Sequence, residues 1–491
     1  MSPRTPTLAL TWALTLGLSC TAAASDSPAS APSPGADTTP AQTQAPIQAA
    51  NAGTDAAPTQ TPASPHQTRT VSAERLQNIP LLLPAGTPKG LAALVSGTEG
   101  WTGERADEAK ALADAGLIVL QVDFTSYRKA LAASGDGCHY VVADFEALAQ
   151  RTQRELSLTT YLRPIVVGSG AGAGTFAYAT LADAPDNTLG GAVAVGFDNR
   201  LDTPVAFCPG ASSRPNRQGG FSYGFDHALP GVMTFLTGPG QDALIDRKFA
   251  ATEGVNLIPL DPNKRIGQIV HATVDIANDD ALDAAELPVV QLDPKGDARG
   301  VALILSGDGG WRDIDQSVGG VLVEKGFAVV GVDSLRYFWS DRSPQEMGRD
   351  LALMVKAADP TERLPILLAG YSFGANMLPF AWPRLDPQIR ARTRLLALLA
   401  PEQKTGFHVS VGGWLGLSTG EADVIAAILA LPPDITLCVH GTDEDDSGCA
   451  SPHLTTREVL TLPGGHHFDS DYEGLTAAIL AAFEQRSTPA P

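Results

Sequence analysis

The chain has 491 residues, 44% of them hydrophobic, which is too long for one ordinary core and predicts two globular domains. Its 54 Asp and Glu residues outnumber 34 Lys and Arg residues, so the formal net charge is −20. Such an acidic protein lacks the positive field that supplies non-specific affinity for nucleic acid, and we expect no direct nucleic-acid partner.

Residues 1–24 are typical of a secretory signal peptide. Arg4 precedes an apolar run from Leu8 to Leu18, and three alanines at 22–24 offer a cleavage site. The apolar run is shorter than the roughly 20 residues that a membrane-spanning helix needs. We therefore expect export and a mature protein outside the cytoplasm, with lipoprotein processing before Cys20 as the alternative.

Ala, Pro, Ser, Thr and Gln dominate residues 25–70, with no Lys or Arg between Arg4 and Arg69. A stretch of this composition buries too little apolar surface to offset the entropy of ordering it, so we predict a disordered linker. No later segment is long and apolar enough to cross a membrane.

The rest of the chain contains an internal repeat. Residues 94–101 (LVSGTEGW) recur as 304–311 (ILSGDGGW), and 116–123 (GLIVLQVD) recur as 326–333 (GFAVVGVD), with an offset of 210 residues in both pairs. The repeat predicts two copies of one domain, over residues 71–283 and 284–491.

Within the second copy, apolar runs at 301–306, 328–332 and 365–369 alternate with helical patterns at 314–325 and 344–357. Continuous apolar strands separated by helices are what a parallel sheet covered on both faces requires. The predicted fold class is α/β, with two tandem α/β-hydrolase-like domains, each a mostly parallel, doubly wound sheet.

Four cysteines remain once Cys20 is set aside: Cys138, Cys208, Cys438 and Cys449. One pair falls in each half, which predicts two disulfides, each within its own domain, in an oxidising compartment. Four buried free thiols are the alternative.

A G-x-S-x-G motif at 370–374 (GYSFG) follows the predicted strand 365–369 and opens a predicted helix over 373–382. In this context the motif predicts a sharp strand-to-helix turn that exposes the hydroxyl of Ser372. We interpret Ser372 as a nucleophile, with a purely structural turn as the alternative.

A serine nucleophile needs a base and an acid, and in this fold class both follow it in the chain. The base is one of two adjacent histidines, and we favour His467 over His466 because an aromatic residue follows it. The acid lies in the loop after the predicted strand 435–439. Its position three residues past the glycine favours Glu444, with Asp443 and Asp445 as rivals.

The tetrahedral intermediate also needs two backbone N–H donors. We predict one from Phe373 and one from the glycine-rich loop, at Asp308 or Gly309. A tight turn packed by Trp311 is the structural alternative for this loop.

Several aromatic residues near these motifs are candidates for substrate contact. We expect residues 336–339 to form an exposed platform for lipid or an apolar leaving group on the rim of the site, with core packing as the alternative. The candidate substrate-binding residues are Trp311, Arg336, Tyr337, Phe338, Trp339 and Tyr371.

The first copy lacks this chemistry. Gly170 stands at the nucleophile position, Ser169 lies one residue early, and residues 260–263 (LDPN) replace the paired histidines. We predict a degenerate, non-catalytic first domain. The chain also has no phosphate-binding loop and no ligand cluster at metal spacing, so no cofactor or metal is expected.

The motifs at 306–311, 336–339, 370–376 and 465–468 resemble the bacterial virulence protein family AcvB/VirJ, and the two-copy layout is similar to the longer AcvB type. The resemblance implies a periplasmic serine esterase that hydrolyses lysyl-phosphatidylglycerol, with Ser372 as its serine. An aminoacylated phospholipid would then be the substrate, with peripheral membrane contact, while protein partners stay unknown. The alternatives are a hydrolase of another lipid-derived ester or thioester and a non-catalytic periplasmic adaptor linked to secretion.

Overall fold

The computed structural model describes residues 68–208, 210–285, 287–409 and 420–487. The predicted signal peptide, and all but the end of the predicted linker, lie outside the described residues. None of the described helices is long and apolar enough to cross a membrane.

The first domain is an eight-stranded sheet with helices on both faces and one small hairpin. Its strands are Thr68–Ala73 (β1), Leu76–Leu82 (β2), Gly90–Ser96 (β3), Leu117–Val122 (β4), Pro164–Ser169 (β5), Gly191–Val195 (β6), Ser213–Pro215 (β7), Phe221–Tyr223 (β8), Val232–Thr237 (β9) and Val255–Pro259 (β10). Its α-helices are Gly103–Asp114 (α1), Phe124–Ser134 (α2), Val142–Glu155 (α3), Ala173–Ala182 (α4), Arg247–Ala250 (α5) and Arg265–Ala285 (α6).

The second domain is a seven-stranded sheet, again covered on both faces, with one separate two-stranded sheet beside it in the chain. Its strands are Val289–Leu292 (β11), Gly300–Leu305 (β12), Phe327–Val332 (β13), Ile366–Tyr371 (β14), Thr393–Leu399 (β15), Lys404–Thr405 (β16), Ala422–Asp423 (β17), Thr436–Gly441 (β18) and Glu458–Leu462 (β19). Its α-helices are Asp313–Glu324 (α7), Ser334–Tyr337 (α8), Pro344–Ala358 (α9), Phe373–Ala381 (α10), Pro387–Arg392 (α11), Val424–Leu429 (α12) and Tyr472–Ser487 (α13).

The two sheets share one topology. The first runs β1-β2-β4-β3-β5-β6-β9-β10 and the second β11-β13-β12-β14-β15-β18-β19. The extra strand β1 pairs with β2 and has no counterpart in the second sheet. Otherwise each sheet has one antiparallel strand, β2 or β11, at one end of a parallel set. This shared order confirms the predicted fold class of two tandem, doubly wound α/β domains.

The central strands explain why the sequence adopts this architecture. Every residue of β12 and β14 is buried, as expected for strands covered by helices on both faces. Each fully buried Leu, Ile or Val side chain contributes roughly 1.5–3 kcal/mol through the hydrophobic effect. The carboxyl ends of these parallel strands meet at one edge, where the loops that carry chemistry are gathered.

Both predicted disulfides are present. Cys138 pairs with Cys208 in the first domain, and Cys438 pairs with Cys449 in the second. The prediction of one disulfide within each domain is therefore confirmed.

Candidate active site

Ser372 lies at a sharp turn between β14 and α10. Its backbone has φ +50° and ψ −115°, a region that side-chain-bearing residues rarely adopt. The turn is so tight that a Cβ on Gly370 would lie 2.5 Å from the Gly374 carbonyl, and a Cβ on Gly374 would lie 2.2 Å from Leu305 O. The two glycines of the motif are thus required by close approach, and the strained turn exposes the hydroxyl.

His466 is the histidine that reaches the nucleophile. Its Nε2 lies 2.9 Å from Ser372 Oγ, and its Nδ1 hydrogen-bonds to Glu444 Oε1. The arrangement is a serine–imidazole–carboxylate chain with the geometry that nucleophilic catalysis needs. It positions the imidazole to accept the hydroxyl proton while the carboxylate fixes the ring.

The preference for His467 was wrong. The His467 Nδ1 lies 3.3 Å from the hydroxyl of Tyr371, whereas the Ser372 hydroxyl is within reach of His466. The aromatic residue on which the preference rested, Phe468, is buried with φ +50°, so the chain makes a left-handed turn directly after the two histidines. Burial lowers the pKa of His467, and the neighbouring His466 lowers it further.

Glu444 is the acidic-loop residue that reaches the imidazole. It is 9% exposed, and its Oε2 also accepts a hydrogen bond from Gly441 N at 3.4 Å, at the end of β18. The rivals Asp443 and Asp445 are both exposed, and His466 Nδ1 is bonded to Glu444, so neither rival completes the triad in this structure. The reason is the loop geometry, which turns these two side chains to solvent.

The Glu444 loop is anchored on both sides. Cys438 in β18 is disulfide-bonded to Cys449, so the bond closes the loop that carries the carboxylate. Gly448 N and the hydroxyl of Ser447 donate to the carbonyl of Pro401 at 2.6 and 3.1 Å. The carboxylate therefore sits on a segment with little freedom to withdraw.

The predicted oxyanion donors lie beside the nucleophile. Phe373 is the first residue of α10, so its N–H is among those that a helix N-terminus leaves without an intrahelical partner. Asp308 and Gly309 line the same cavity, but their backbone N–H groups are engaged by the Asp308 carboxylate. A substrate oxygen would compete with that carboxylate for the second donor.

The predicted aromatic platform is wrong. Trp311 is 1% exposed and packs on Gly319 and Gly331, which matches the structural alternative of a packed turn. Tyr337, Phe338 and Trp339 are also covered, each at most 1% exposed. Arg154 and Tyr161 of the first domain pack on Trp339, whereas Phe338 packs on Phe373 and the Tyr337 hydroxyl donates to Asp350 within the second domain. Of the candidate set, Tyr371 lines the cavity, with its hydroxyl donating to His466 O at 3.3 Å.

The nucleophile opens onto a cavity of about 620 Å³ with many acidic groups in its wall. The acidic lining residues are Asp308, Asp313, Asp315, Glu402, Asp443, Glu444 and Asp446. Sequence reasoning missed Glu402, which accepts a hydrogen bond from Asn376 Nδ2 at 3.0 Å. Its position directly after β15, at the carboxyl edge of the sheet, was the available signal.

Two of these acids are half-buried, and burial raises the pKa of each. Arg312 and His466 partly offset the rise at Asp308, and the Asn376 amide partly offsets it at Glu402. In the part of the chain that the structure describes, no group of three or more His, Cys, Asp and Glu side chains is arranged to hold a metal ion. The acidic side chains in the wall present oxygen acceptors, which can bind a positively charged group.

The corresponding place in the first domain is filled by the protein itself. Gly170 holds the nucleophile position, and a Cβ there would lie 2.0 Å from Glu99 Oε1. The same Glu99 side chain accepts a hydrogen bond from Ala171 N. The region after β10 carries Leu260 and Asp261 where the second domain has its histidines, so this site has neither nucleophile nor base.

Comparisons with known proteins bear on the second domain. Residues 299–487 match the model of a family described as bacterial virulence protein (VirJ), which confirms the family resemblance for that domain. No curated protein matches the chain.

Solved structures with similarity to the chain include ferulic-acid-bound Est1E from Butyrivibrio proteoclasticus, with 17% identity, 40% of this chain and 94% of that chain covered, and a TM-score of 0.29. A thermostable carboxyl esterase from Bacillus coagulans has 12% identity, coverage of 40% and 94%, and a TM-score of 0.30. A thioesterase domain from the curacin biosynthetic pathway has 15% identity, coverage of 39% and 94%, and a TM-score of 0.26.

Proposed function

We propose that this chain, whose second domain is similar to the VirJ family of bacterial virulence proteins, is an exported serine esterase. The observation that carries the proposal is the continuous chain from Ser372 Oγ through the His466 imidazole to the Glu444 carboxylate. The proposed substrate is lysyl-phosphatidylglycerol, which the family resemblance implies. The products are lysine and phosphatidylglycerol.

The geometry supports the following reaction. His466 Nε2 removes the proton of Ser372 as its oxygen attacks the ester carbonyl carbon, and Glu444 stabilises the imidazolium that forms. The Phe373 N–H donates to the developing oxyanion. The imidazolium then gives its proton to the glycerol oxygen as the ester bond breaks. Water, activated by the same imidazole, hydrolyses the lysyl-enzyme and regenerates Ser372.

The acidic wall of the cavity favours a substrate whose acyl group is positively charged. Lysine carries two ammonium groups when esterified through its carboxyl, and Asp308, Glu402 and Asp446 all line the cavity beside the nucleophile. In a half-buried site such charge pairs are stronger than in water. A plain fatty-acyl ester or thioester would offer these carboxylates no positive charge, so the cationic ester is the better fit.

Location and membrane contact are part of the proposal. Two disulfides are compatible with an oxidising compartment such as the periplasm, the location that we propose from the family resemblance. The lipid substrate requires at least transient contact with the membrane surface. A non-catalytic adaptor role would not explain why the triad geometry is kept in one domain and lost in the other.

The test uses the protein without its signal peptide, a short-chain nitrophenyl ester, and vesicles containing lysyl-phosphatidylglycerol. Ser372→Ala should lower turnover of both substrates by about 10³-fold or more, because triad members act as a unit. Ser169→Ala, a serine in the corresponding turn of the first domain, is the matched control and should leave turnover unchanged. The esterase proposal fails if Ser372→Ala keeps wild-type turnover, and the lysyl specificity fails if vesicles with a neutral aminoacyl ester are hydrolysed equally well.

A further inference from the structure

The degenerate first domain makes direct, buried contact with the catalytic domain. Arg154, on α3, donates to the carbonyl of Trp339 at 2.7 Å and stacks on its indole at 3.5 Å. The indole N–H in turn donates to Leu158 O at 2.9 Å, and the ring of Tyr161 packs on it. The helix α3 is therefore held firmly against the second domain.

An acidic side chain of α3 also lies at the edge of the active site. Glu146 is 3% exposed, and both its oxygens accept from Arg312 Nη1, at 3.2 and 2.9 Å. Burial raises the pKa of Glu146, and Arg312 offsets this, so the pair is an ion pair removed from solvent. Breaking such a pair by neutralising one partner is costly, because it leaves an uncompensated buried charge.

Arg312 connects this pair to the oxyanion loop. It follows the loop in the chain and lines the catalytic cavity, and its guanidinium lies against Gly309, where a Cβ would meet Nη2 at 2.5 Å. The other charged or titratable groups that interact electrostatically with Arg312 include Tyr140, Tyr161, Asp308, Asp313, Asp315 and Asp333. Glu146 hydrogen-bonds directly to this guanidinium.

We propose that Glu146 of the first domain is a positioning residue for the oxyanion loop of the second domain, acting through Arg312. The ion pair holds the guanidinium against Gly309, and this contact fixes the conformation of the oxyanion loop. A substrate oxygen then meets the loop's backbone N–H groups in a fixed position, where it displaces the Asp308 carboxylate from them. This assigns a catalytic purpose to a domain that has lost its own nucleophile, and it rests on the proposed esterase activity.

The test compares Glu146→Gln and Arg312→Lys with the wild-type protein on a short-chain nitrophenyl ester. The second variant keeps the positive charge but loses the planar fork, so it remains informative if the first fails to fold. Because one oxyanion donor is worth about 10²–10³ in kcat, a misaimed loop should lower kcat about tenfold while KM stays nearly constant. The inhibition constant of phenylboronic acid, whose tetrahedral serine adduct places an oxygen at the same donors, should rise by a similar factor.

The matched control is Arg154→Gln, which removes a charge from the same helix and the same interface without touching the oxyanion loop. It should lower the melting temperature while leaving kcat and the boronate constant near wild type. If Arg154→Gln lowers kcat as much as Glu146→Gln does, the effect belongs to domain docking and the inference is overturned. It is also overturned if folded Glu146→Gln and Arg312→Lys keep wild-type kcat. A wild-type protein with no esterase activity would instead refute the proposed function.

Discussion

The carboxylate of Glu99 lies on the backbone N–H of Ala171, with Oε2 3.2 Å from that nitrogen. Ala171 follows Gly170 as Phe373 follows Ser372, so the first domain places its own anion where the second leaves an amide open for substrate. The first domain therefore differs from the second by more than a missing hydroxyl. The position equivalent to the oxyanion site of the second domain is occupied by the Glu99 side chain, so a serine at residue 170 would not by itself create an active site.

Gly170→Ser should destabilise the first domain. The new Cβ would meet Glu99 Oε1 at 2.0 Å and Gly97 N at 2.7 Å, at a backbone φ of +121°. Strain of this kind costs about 1–3 kcal/mol. Urea unfolding should show the loss, and adding Glu99→Ala should recover part of it by removing the carboxylate. If Glu99→Ala recovers no stability in the Gly170→Ser variant, the Glu99 carboxylate does not occupy the space beside residue 170.

His466→Gln and His467→Gln should separate the two histidines. Because His466 Nε2 is the group within hydrogen-bond distance of Ser372 Oγ, His466→Gln should lower kcat/KM by about 10³-fold or more. His467→Gln removes only a contact to Tyr371 and should change kcat/KM little. The measurement is steady-state hydrolysis of a short-chain ester, and the reverse order of effects would contradict the assignment.

Glu444→Gln should lower kcat while leaving the fold intact. The amide no longer stabilises the imidazolium and no longer fixes the ring, an effect of about 10²–10⁴ in kcat for such carboxylates. Asp443→Asn is the matched control, one residue away and exposed, and should stay near wild type. Equal losses of kcat in both variants would contradict the assignment of Glu444 as the acid of the triad.

The repeat and the alternation of strands and helices sufficed to predict the fold, because both depend on local patterns that survive in the tertiary structure. Ser372 and Glu444 were found for the same reason, since each follows a strand at a set distance. The choice between His466 and His467 depends on backbone angles that spacing does not reveal. Gly464 and residues 468–470 all have positive φ, and this turn sets which ring faces inward.

The aromatic run at 336–339 shows a second limit of sequence reasoning. Taken alone, the second domain predicts an exposed rim there, because the run follows a strand at the carboxyl edge of the sheet. In the structure Trp339 is 1% exposed because Arg154 and Tyr161 of the first domain cover it. The sequence pattern of each copy predicts which residues its own core buries. It does not predict which residues are buried by contact with the other copy.

Loss of the Cys438–Cys449 disulfide should lower kcat more than stability alone explains. The bond closes the loop that carries Glu444, and small displacements of a catalytic group cost large factors in rate. We expect the double Cys→Ser variant to lose about tenfold in kcat with its far-UV circular dichroism preserved.

The control for that experiment is the corresponding double Cys→Ser change at Cys138 and Cys208, the disulfide of the first domain. It removes a similar covalent constraint at a distance from the triad. It should lower the melting temperature while leaving kcat nearly unchanged. Equal losses of kcat in the two double variants would indicate a general loosening of the protein, and not a displaced carboxylate.

Asp183, at the end of α4, should make stability depend on pH. Burial raises the pKa of its carboxyl from 3.8 to about 7, and its Oδ2 is buried with no hydrogen-bond partner among the described residues. Between pH 4 and 7 the folded state holds a proton that the unfolded state releases, so stability falls as pH rises through this window. Asp183→Asn removes this penalty and should raise the urea midpoint at pH 8 but barely at pH 4. Asp107→Asn, an exposed site on α1, is the control, and an Asp183→Asn effect independent of pH would contradict the raised pKa.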